Sequence, residues 1–203
     1  MKRLEGKVAI VTGGGTGMGE ACVKLFAREG AKVVATGRRV EKIQAVVDAV
    51  KAEGYTDVIA VQQDVSKEED WERVVQTTIE TFGEINVLVN NAGILDSVNY
   101  EDITYENWKY VMDINGWGQM LGYKTVVPSM TRAGGGSIVV VSSMAARNSG
   151  GGLTAYCASK GASDALVRAA SVVLAPKNIR TNCILPGTIY TPMLEDAFSN
   201  EED

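Results

Sequence analysis

Three residues in the second half of the chain could do proton chemistry together: Ser143, Tyr156 and Lys160. Tyr156 and Lys160 are four positions apart, so on a helix they share one face, one turn apart. A free phenol, with a pKa of about 10, is a poor proton acceptor near neutral pH. An ammonium held one turn away favours the phenolate and lowers that pKa. A phenol tuned in this way can give a proton to, or take one from, an alcohol or carbonyl oxygen. Ser143 could hydrogen-bond the same oxygen and fix its position. Alone, the Y-x-x-x-K spacing is weak evidence, because Tyr and Lys fall four apart on many solvated helices. Its weight depends on the elements around it.

Those elements come from a chain of 203 residues, a length that suits one domain with a sizeable core. The formal net charge of −5 argues against nucleic acid as a main partner. No apolar run approaches the roughly 18 residues of a membrane span, so no membrane partner is expected. Lys2 and Arg3 are followed only by the short apolar stretch Val8–Val11 and then glycines, which reads as a strand entering a turn, not a signal peptide. Three cysteines, Cys22, Cys157 and Cys183, form no CxxC pair and fit a reduced, cytoplasmic setting. Cys157 beside Tyr156 reads better as a small buried apolar residue than as a nucleophile. The chain has no histidine, which excludes Ser-His-Asp and Cys-His catalysis and histidine-ligated metals. No metal is expected, and proton chemistry must use Tyr, Lys, Asp, Glu or Cys.

Strand and helix patterns alternate along the whole chain. Strands are expected at Lys7–Thr12, Lys32–Thr36, Val58–Gln62, Val87–Val89, Ser137–Ser142 and Arg180–Leu185. Helices are expected at Gly17–Glu29, Val40–Glu53, Glu68–Phe82, Tyr105 to about Arg132, and Ala155–Leu174. Gly54 and Gly83 stop two of them, and Gly116, Gly118 and Pro128 loosen the long one. Short apolar strands separated by helices imply right-handed crossovers and a parallel sheet covered on both faces, an α/β three-layer fold in one domain. Residues 195–203, ending in the acidic Asn200–Asp203, are expected to be disordered.

The first strand runs into Thr12-Gly13-Gly14-Gly15-Thr16-Gly17-Met18-Gly19. Glycines permit a tight turn and let backbone N–H groups approach a pyrophosphate, with a helix N-terminus adding a favourable dipole. The spacing is G-x-x-x-G-x-G, and a P-loop is unsupported because no Gly-Lys-Ser/Thr follows. A strand, a glycine turn and a helix at the start of an α/β chain are where a dinucleotide would bind; a merely flexible turn is the alternative. The second strand ends in Thr36-Gly37-Arg38-Arg39. A carboxylate there would favour NAD, whereas the guanidinium of Arg38 suits a 2′-phosphate by charge and by bidentate geometry, so NADP(H) is favoured over NAD(H). A solvated arginine pair opening the next helix remains the plainer reading.

Taken together these residues resemble the compact, single-domain branch of the short-chain dehydrogenase/reductase family. The matches are T-G-x-x-x-G-x-G at Thr12–Gly19, Asn90-Asn91-Ala92-Gly93, Asn115, Ser143, Tyr156-x-x-x-Lys160 and Pro186-Gly187-x-x-x-Thr191, in the family's order from residue 6 to about 192. The resemblance implies a Rossmann-type doubly wound sheet and hydride transfer between nicotinamide and a carbonyl/alcohol substrate. It makes Tyr156 general acid in reduction and general base in oxidation. Lys160 would lower its pKa and bond the nicotinamide ribose. Ser143 would orient the substrate oxygen, and Asn115 would hold a water that relays protons toward Lys160. Gly13, Gly15, Thr16, Gly17, Met18 and Gly19 would bind the pyrophosphate end, and Arg38 the 2′-phosphate. Asp64 and Val65 would contact the adenine, and Asn91, Ala92 and Gly93 would line the cleft, with Asn90 structural. Pro186, Gly187, Ile189 and Thr191 would hold the nicotinamide end. Each has a plainer role open to it: Asn115 could satisfy backbone where a helix bends, Ser143 could cap a strand end, Asp64 a turn, and Thr191 could start a helix.

Relatives in this branch usually continue with a further helix and a seventh strand, whereas this chain stops at Asp203. The sixth strand is therefore expected to be a sheet edge. The family also implies a homo-oligomer, a dimer or tetramer. The substrate must carry a carbonyl or an alcohol, and its pocket is expected between Ile94–Val98, Met144–Thr154 and the region after Thr191. Candidate classes are 3-oxoacyl thioesters, sterols or bile acids, sugars and small ketones. Arg147 is the one nearby cation, read as a solvated loop residue. Competing functions are a nucleotide sensor without turnover on the same fold, an NAD(H)-specific alcohol or hydroxysteroid dehydrogenase, and a sugar-nucleotide epimerase, whose usual glycine spacing differs.

Overall fold

Strand β1 (Val8–Thr12) is buried at every position. A strand with helices over both faces needs no polar alternation, and β1 has none. The chain continues through α1 (Gly17–Arg28), β2 (Lys32–Gly37), α2 (Val40–Ala52), β3 (Val58–Gln62), α3 (Glu68–Phe82) and β4 (Val87–Asn90). Then come α4 (Tyr105–Met112), a π-helical turn (Asp113–Trp117), α5 (Gly118–Arg132), β5 (Gly136–Val141), a short 3-10 turn (Met144–Ala146), α6 (Thr154–Leu174), β6 (Ile179–Ile184) and α7 (Pro192–Phe198). The computed structural model describes residues 2–148 and 152–198.

All six strands are parallel, in the order β3-β2-β1-β4-β5-β6. The chain winds outward from β1 to β3, returns to place β4 beside β1, and winds outward again to β6. Strand order therefore reverses between β1 and β4, and such a reversal opens a crevice at the carboxyl ends of the strands.

Alternate residues of each strand feed two separate cores. Ile10, Val34, Leu88 and Ile138 pack with Trp71 of α3, Leu121 and Met130 of α5 and Val167 of α6. Ala9, Val11, Val33 and Ala35 pack on the other face with Val23 of α1 and Ile43, Val46 and Val47 of α2. Burying a side chain of this size contributes roughly 1.5–3 kcal/mol, so the sheet is anchored from both sides.

The expected long helix from Tyr105 is three pieces. Thr104 caps α4, its hydroxyl accepting from Asn107 N at 3.1 Å while Asn107 reaches back to the Thr104 backbone. The π-helical turn then interrupts the ladder, and α5 runs on past Pro128 to Arg132. Positions 195–198, expected to be disordered, belong to α7; residues 199–203 lie outside the described residues. Among the described residues no helix is long and apolar enough to cross a membrane.

Candidate active site

The crevice between β1 and β4 is built by backbone on one side and by short polar side chains on the other. Gly13 has φ +66°, a left-handed conformation, and a Cβ there would lie 2.9 Å from Asn91 Nδ2. At Gly19 a Cβ would lie 2.1 Å from Gly13 O, so the first turn of α1 packs against the loop that precedes it. Thr16 is the N-cap of α1, and its side chain makes no capping bond. The first N–H groups of α1 thus have no capping side chain, beside a glycine loop with no side chains in the way. This cradle fits a pyrophosphate. Gly15, Gly17 and Met18 belong to the same turn and first helical turn. Gly17 also faces Thr191, whose Cγ2 is 3.1 Å from its Cβ position. Pro186, Gly187, Ile189 and Thr191 lie on the segment from β6 to α7. Pro186 O accepts from Met144 N at 2.9 Å, and Ile189 is 46% exposed.

Across the crevice, Thr12 ties the glycine loop to the end of β4. Its hydroxyl accepts from Asn91 N and Ala92 N, both at 3.0 Å. Asn91 Nδ2 donates to Thr12 O at 2.8 Å, so its amide knits the loop. Asn90 is buried and donates to Gln119 O at 3.1 Å, as its structural reading expects. Arg38 stands exposed just past β2, with Nη1 donating to Tyr110 Oη at 3.1 Å. Asp64 and Val65 follow β3. The Asp64 carboxylate accepts from Ser66 N at 3.0 Å and Ser66 Oγ at 2.7 Å, the side-chain turn allowed for it above. Val65 is buried beneath Gly118, and its carbonyl accepts from Trp71 Nε1.

Tyr156 and Lys160 occupy one face of α6, with Lys160 Nζ 5.5 Å from the phenol ring centroid. Lys160 is 4% exposed, and Nζ donates to Val141 O at 3.0 Å. Burial pulls its pKa from 10.5 down to about 8. Tyr156 departs from expectation. Burial raises its phenol above the usual value, the neighbouring Cys157 adds to this, and the Ser143 hydroxyl pulls the other way. The expected lowering by Lys160 is absent, because the ammonium faces the end of β5 and both groups are removed from water.

Ser142 and Ser143 separate cleanly. Ser142 is buried and donates to Lys160 O at 2.9 Å, which docks α6 onto β5. Ser143 is half-buried, accepts from Ala145 N at 3.1 Å, and acts on the Tyr156 phenol. Asn115 lies in the π-helical turn, fully buried. Its Oδ1 accepts from Ile94 N at 2.8 Å, and its Nδ2 donates to Ile94 O at 2.9 Å and Ser159 Oγ at 3.0 Å. Its side chain is therefore spent on backbone and on α6. The two halves of the crevice meet at Gly93, where a Cβ would lie 3.3 Å from Lys160 Nζ and 3.1 Å from Asn115 Oδ1.

Thr12, Ile94, Ser142 and Ser159 act as positioning residues; sequence reasoning placed Thr12 in the glycine motif, Ile94 at the pocket edge and Ser142 at a strand end without giving them this role, and it missed Ser159. The expected substrate walls do approach, since Val98 forms a parallel bridge with Leu153. Ser149, Gly150 and Gly151 of that loop lie outside the described residues. Arg147 is exposed and donates to Asp164 at 3.2 Å, which Arg168 shares. Two surface grooves, one between α3 and α5 and one between the π-helical turn and α6, hold none of Ser143, Tyr156 and Lys160.

Comparison with known proteins agrees with this geometry. Residues 7–202 match the family described as short chain dehydrogenase. An NADP-dependent (R)-specific alcohol dehydrogenase of Lentilactobacillus kefiri is 42% identical, over 98% of this chain and 80% of the relative. A 3-alpha-(or 20-beta)-hydroxysteroid dehydrogenase of Mycobacterium tuberculosis is 39% identical, over 95% of this chain and 73% of the relative. A short-chain type dehydrogenase/reductase from Mycobacterium marinum superposes with a TM-score of 0.93 at 30% identity, covering 97% of this chain and 78% of that one.

Proposed function

The chain belongs to the short-chain dehydrogenase/reductase family, and from that premise we propose an NADP(H)-dependent oxidoreductase in which Tyr156 exchanges the proton at a carbonyl/alcohol oxygen. Members of the family use NAD(P) and act on CH–OH groups. The observation that carries the reading is the convergence at Gly93, where the nucleotide side of the crevice comes within van der Waals reach of Lys160 and Asn115.

The nicotinamide supplies or accepts the hydride when bound. The remaining work falls to the chain. In reduction Tyr156, a phenol whose pKa burial raises further above the usual value, donates its proton to the oxygen of the substrate as the carbon becomes CH–OH. In oxidation it takes that proton back. Ser143, half-buried beside the phenol, orients the same oxygen. Lys160, held against Val141 O with Nζ 5.5 Å from the centroid of the phenol ring, would bond the ribose. Asn115 holds the bend that sets Ile94 and Gly93 against Lys160, the footing on which it would hold a relay water. The glycine turn Gly13–Gly19 would take the pyrophosphate, with Asp64 and Val65 near the adenine, Asn91, Ala92 and Gly93 along the cleft, and Pro186, Gly187, Ile189 and Thr191 at the nicotinamide end.

Preference for NADP(H) rests on Arg38, exposed just past β2 with its Nη1 on the Tyr110 hydroxyl, and is supported by a relative named NADP-dependent. The substrate reading is a neutral carbonyl or alcohol. Ile94, Met144 and Leu153 belong to the apolar segments expected to wall the pocket, and Arg147, the cation of that loop, is paired with Asp164. We also infer one nucleotide-binding domain in a cytoplasmic setting, assembled as a homo-oligomer, dimer or tetramer. Exposed Trp117 and Met120 on the α5 side support association.

The test is a titration with NADPH and NADH followed by nicotinamide fluorescence, then turnover of ketones and alcohols by wild type and Tyr156→Phe. The variant is expected to lose nearly all turnover while keeping cofactor affinity within a few fold. Turnover near wild type would sink the assignment of Tyr156.

A further inference from the structure

Arg38 is an unusual arginine for its surroundings. Most arginines of the described residues sit against carboxylates, as Arg28 does against Glu53 and Arg132 against Glu84. Arg38 is instead bonded to a neutral phenol: Nη1 donates to Tyr110 Oη at 3.1 Å. A carboxylate partner would neutralise the guanidinium. A phenol orients it and leaves the charge available to an anion.

The rest of Arg38 is fixed from the β3 side. Gln62 Nε2 donates to Arg38 O at 3.1 Å, Gln63 N donates to Gly37 O at 2.9 Å, and Arg73 Nη2 donates to Gln62 O at 3.0 Å. The main chain of the residue is thus set, and the free variable is the long side chain. Ordering such a side chain costs rotamer entropy. Tyr110 meets that cost before any ligand arrives. Tyr110 is itself held by position. Its helix α4 begins at the Thr104–Asn107 cap, and it ends in the π-helical turn that Asn115 clasps to Ile94. The next segment packs Gly118 onto Val65, where a Cβ would lie 2.9 Å from Val65 Cγ2. The Arg38–Tyr110 bond therefore bridges from the end of β2 to α4, across the turn that carries Asp64 and Val65.

We propose that Tyr110 is a positioning residue for cofactor selection: its hydroxyl holds the Arg38 guanidinium by one N–H and presents the remaining donors to a nucleotide 2′-phosphate. A guanidinium carries five N–H donors, so one bond to the phenol leaves a second edge for bidentate contact. The proposal rests on the reading of Arg38 given above. It assigns part of cofactor choice to α4, an element outside the β1–α1–β2 unit that holds the glycine turn.

The test is a cycle of Tyr110→Phe, Arg38→Ala and the double variant, with dissociation constants for NADPH and NADH read by nicotinamide fluorescence. Tyr110 is half exposed and phenylalanine keeps the ring, so a thermal melt is expected to be unchanged. One lost hydrogen bond, worth about 0.5–1.5 kcal/mol, predicts a roughly two- to twelvefold weaker NADPH affinity. NADH affinity is expected to stay within about twofold of wild type. In the Arg38→Ala background Tyr110→Phe is expected to change neither constant, because there is nothing left to position. Equal losses for both cofactors in Tyr110→Phe, or a loss that persists without Arg38, would overturn the role of Tyr110 alone. Equal losses for both cofactors in Arg38→Ala would overturn the 2′-phosphate reading and this proposal with it.

Discussion

Replacing Lys160 by methionine should make the cofactor-free protein more stable near neutral pH while removing its activity. Lys160 is 4% exposed, and its pKa falls from 10.5 to about 8 through burial. Each pKa unit is worth about 1.4 kcal/mol, so the charged amine costs the fold about 3 kcal/mol below pH 8. Methionine removes that cost and keeps most of the length. It also removes the bond from Nζ to Val141 O, a loss of about 1 kcal/mol. The net expectation is a gain of about 2 kcal/mol.

The sign follows from where the proton is bound. Between about pH 8 and 10.5 the unfolded chain holds a proton on Lys160 that the folded chain has released. Stability of the wild type therefore rises with pH across that window, and the penalty is gone above it. Urea unfolding of wild type and Lys160→Met should show the variant ahead at neutral pH. The gap should close through the window, with the wild type level or ahead beyond 10.5. A variant less stable than wild type at neutral pH, or a gap that does not change with pH, would refute the reasoning. Loss of turnover in the more stable variant would identify Lys160 as a charge kept for function at the expense of the fold.

Gly19→Ala should weaken binding of either cofactor at least tenfold and lower the melting temperature, since its Cβ would fall 2.1 Å from Gly13 O and overpacking costs about 1–3 kcal/mol; fluorescence titration and a thermal melt read both. Asn115→Ala removes three hydrogen bonds to Ile94 and Ser159 and should cost about 2–3 kcal/mol in urea unfolding, with activity lost more steeply than cofactor affinity. Because burial raises the Tyr156 pKa, kcat/KM for carbonyl reduction should hold through neutral pH and fall in alkali, whereas alcohol oxidation should rise with pH. A reduction profile that falls on the acid side would count against Tyr156 as the proton donor.

The strands and helices were legible because each carries its own signal. In β3 and α3 the expected bounds, Val58–Gln62 and Glu68–Phe82, coincide with the observed ones, since apolar runs are bounded by Gly54 and Gly83 or by acidic first turns. The long helix from Tyr105 was expected to loosen at Gly116 and Gly118 and to bend where Asn115 could satisfy backbone, but not to form a π-helical turn there. That turn is stabilised by Asn115 bonding Ile94, a contact between segments 21 positions apart with no local signature. The same reason hides Tyr110, whose partner Arg38 is 72 positions away. The Y-x-x-x-K spacing placed Tyr156 and Lys160 on one helical face, but it could not reveal which way Nζ points or how deeply it is buried. The inferred lowering of the phenol pKa depended on both, and in the cofactor-free protein burial of the phenol acts in the opposite direction.

That sign carries an argument about direction. In the cofactor-free protein, burial favours the neutral phenol at Tyr156 and weakens the hold of Lys160 on its proton. A neutral phenol is already the acid that carbonyl reduction needs. Oxidation needs the phenolate, and nothing now within the described site supplies the charge to form it, because Lys160 Nζ is engaged by Val141 O. Freeing Lys160 from that carbonyl and turning it toward Tyr156 would reverse both shifts at once, since each charge would stabilise the other. A Lys160 turned in that way would couple the two titrations. If Tyr156 acts as the acid, the bond from Lys160 Nζ to Val141 O, at the end of β5, would favour the protonated phenol in the cofactor-free protein.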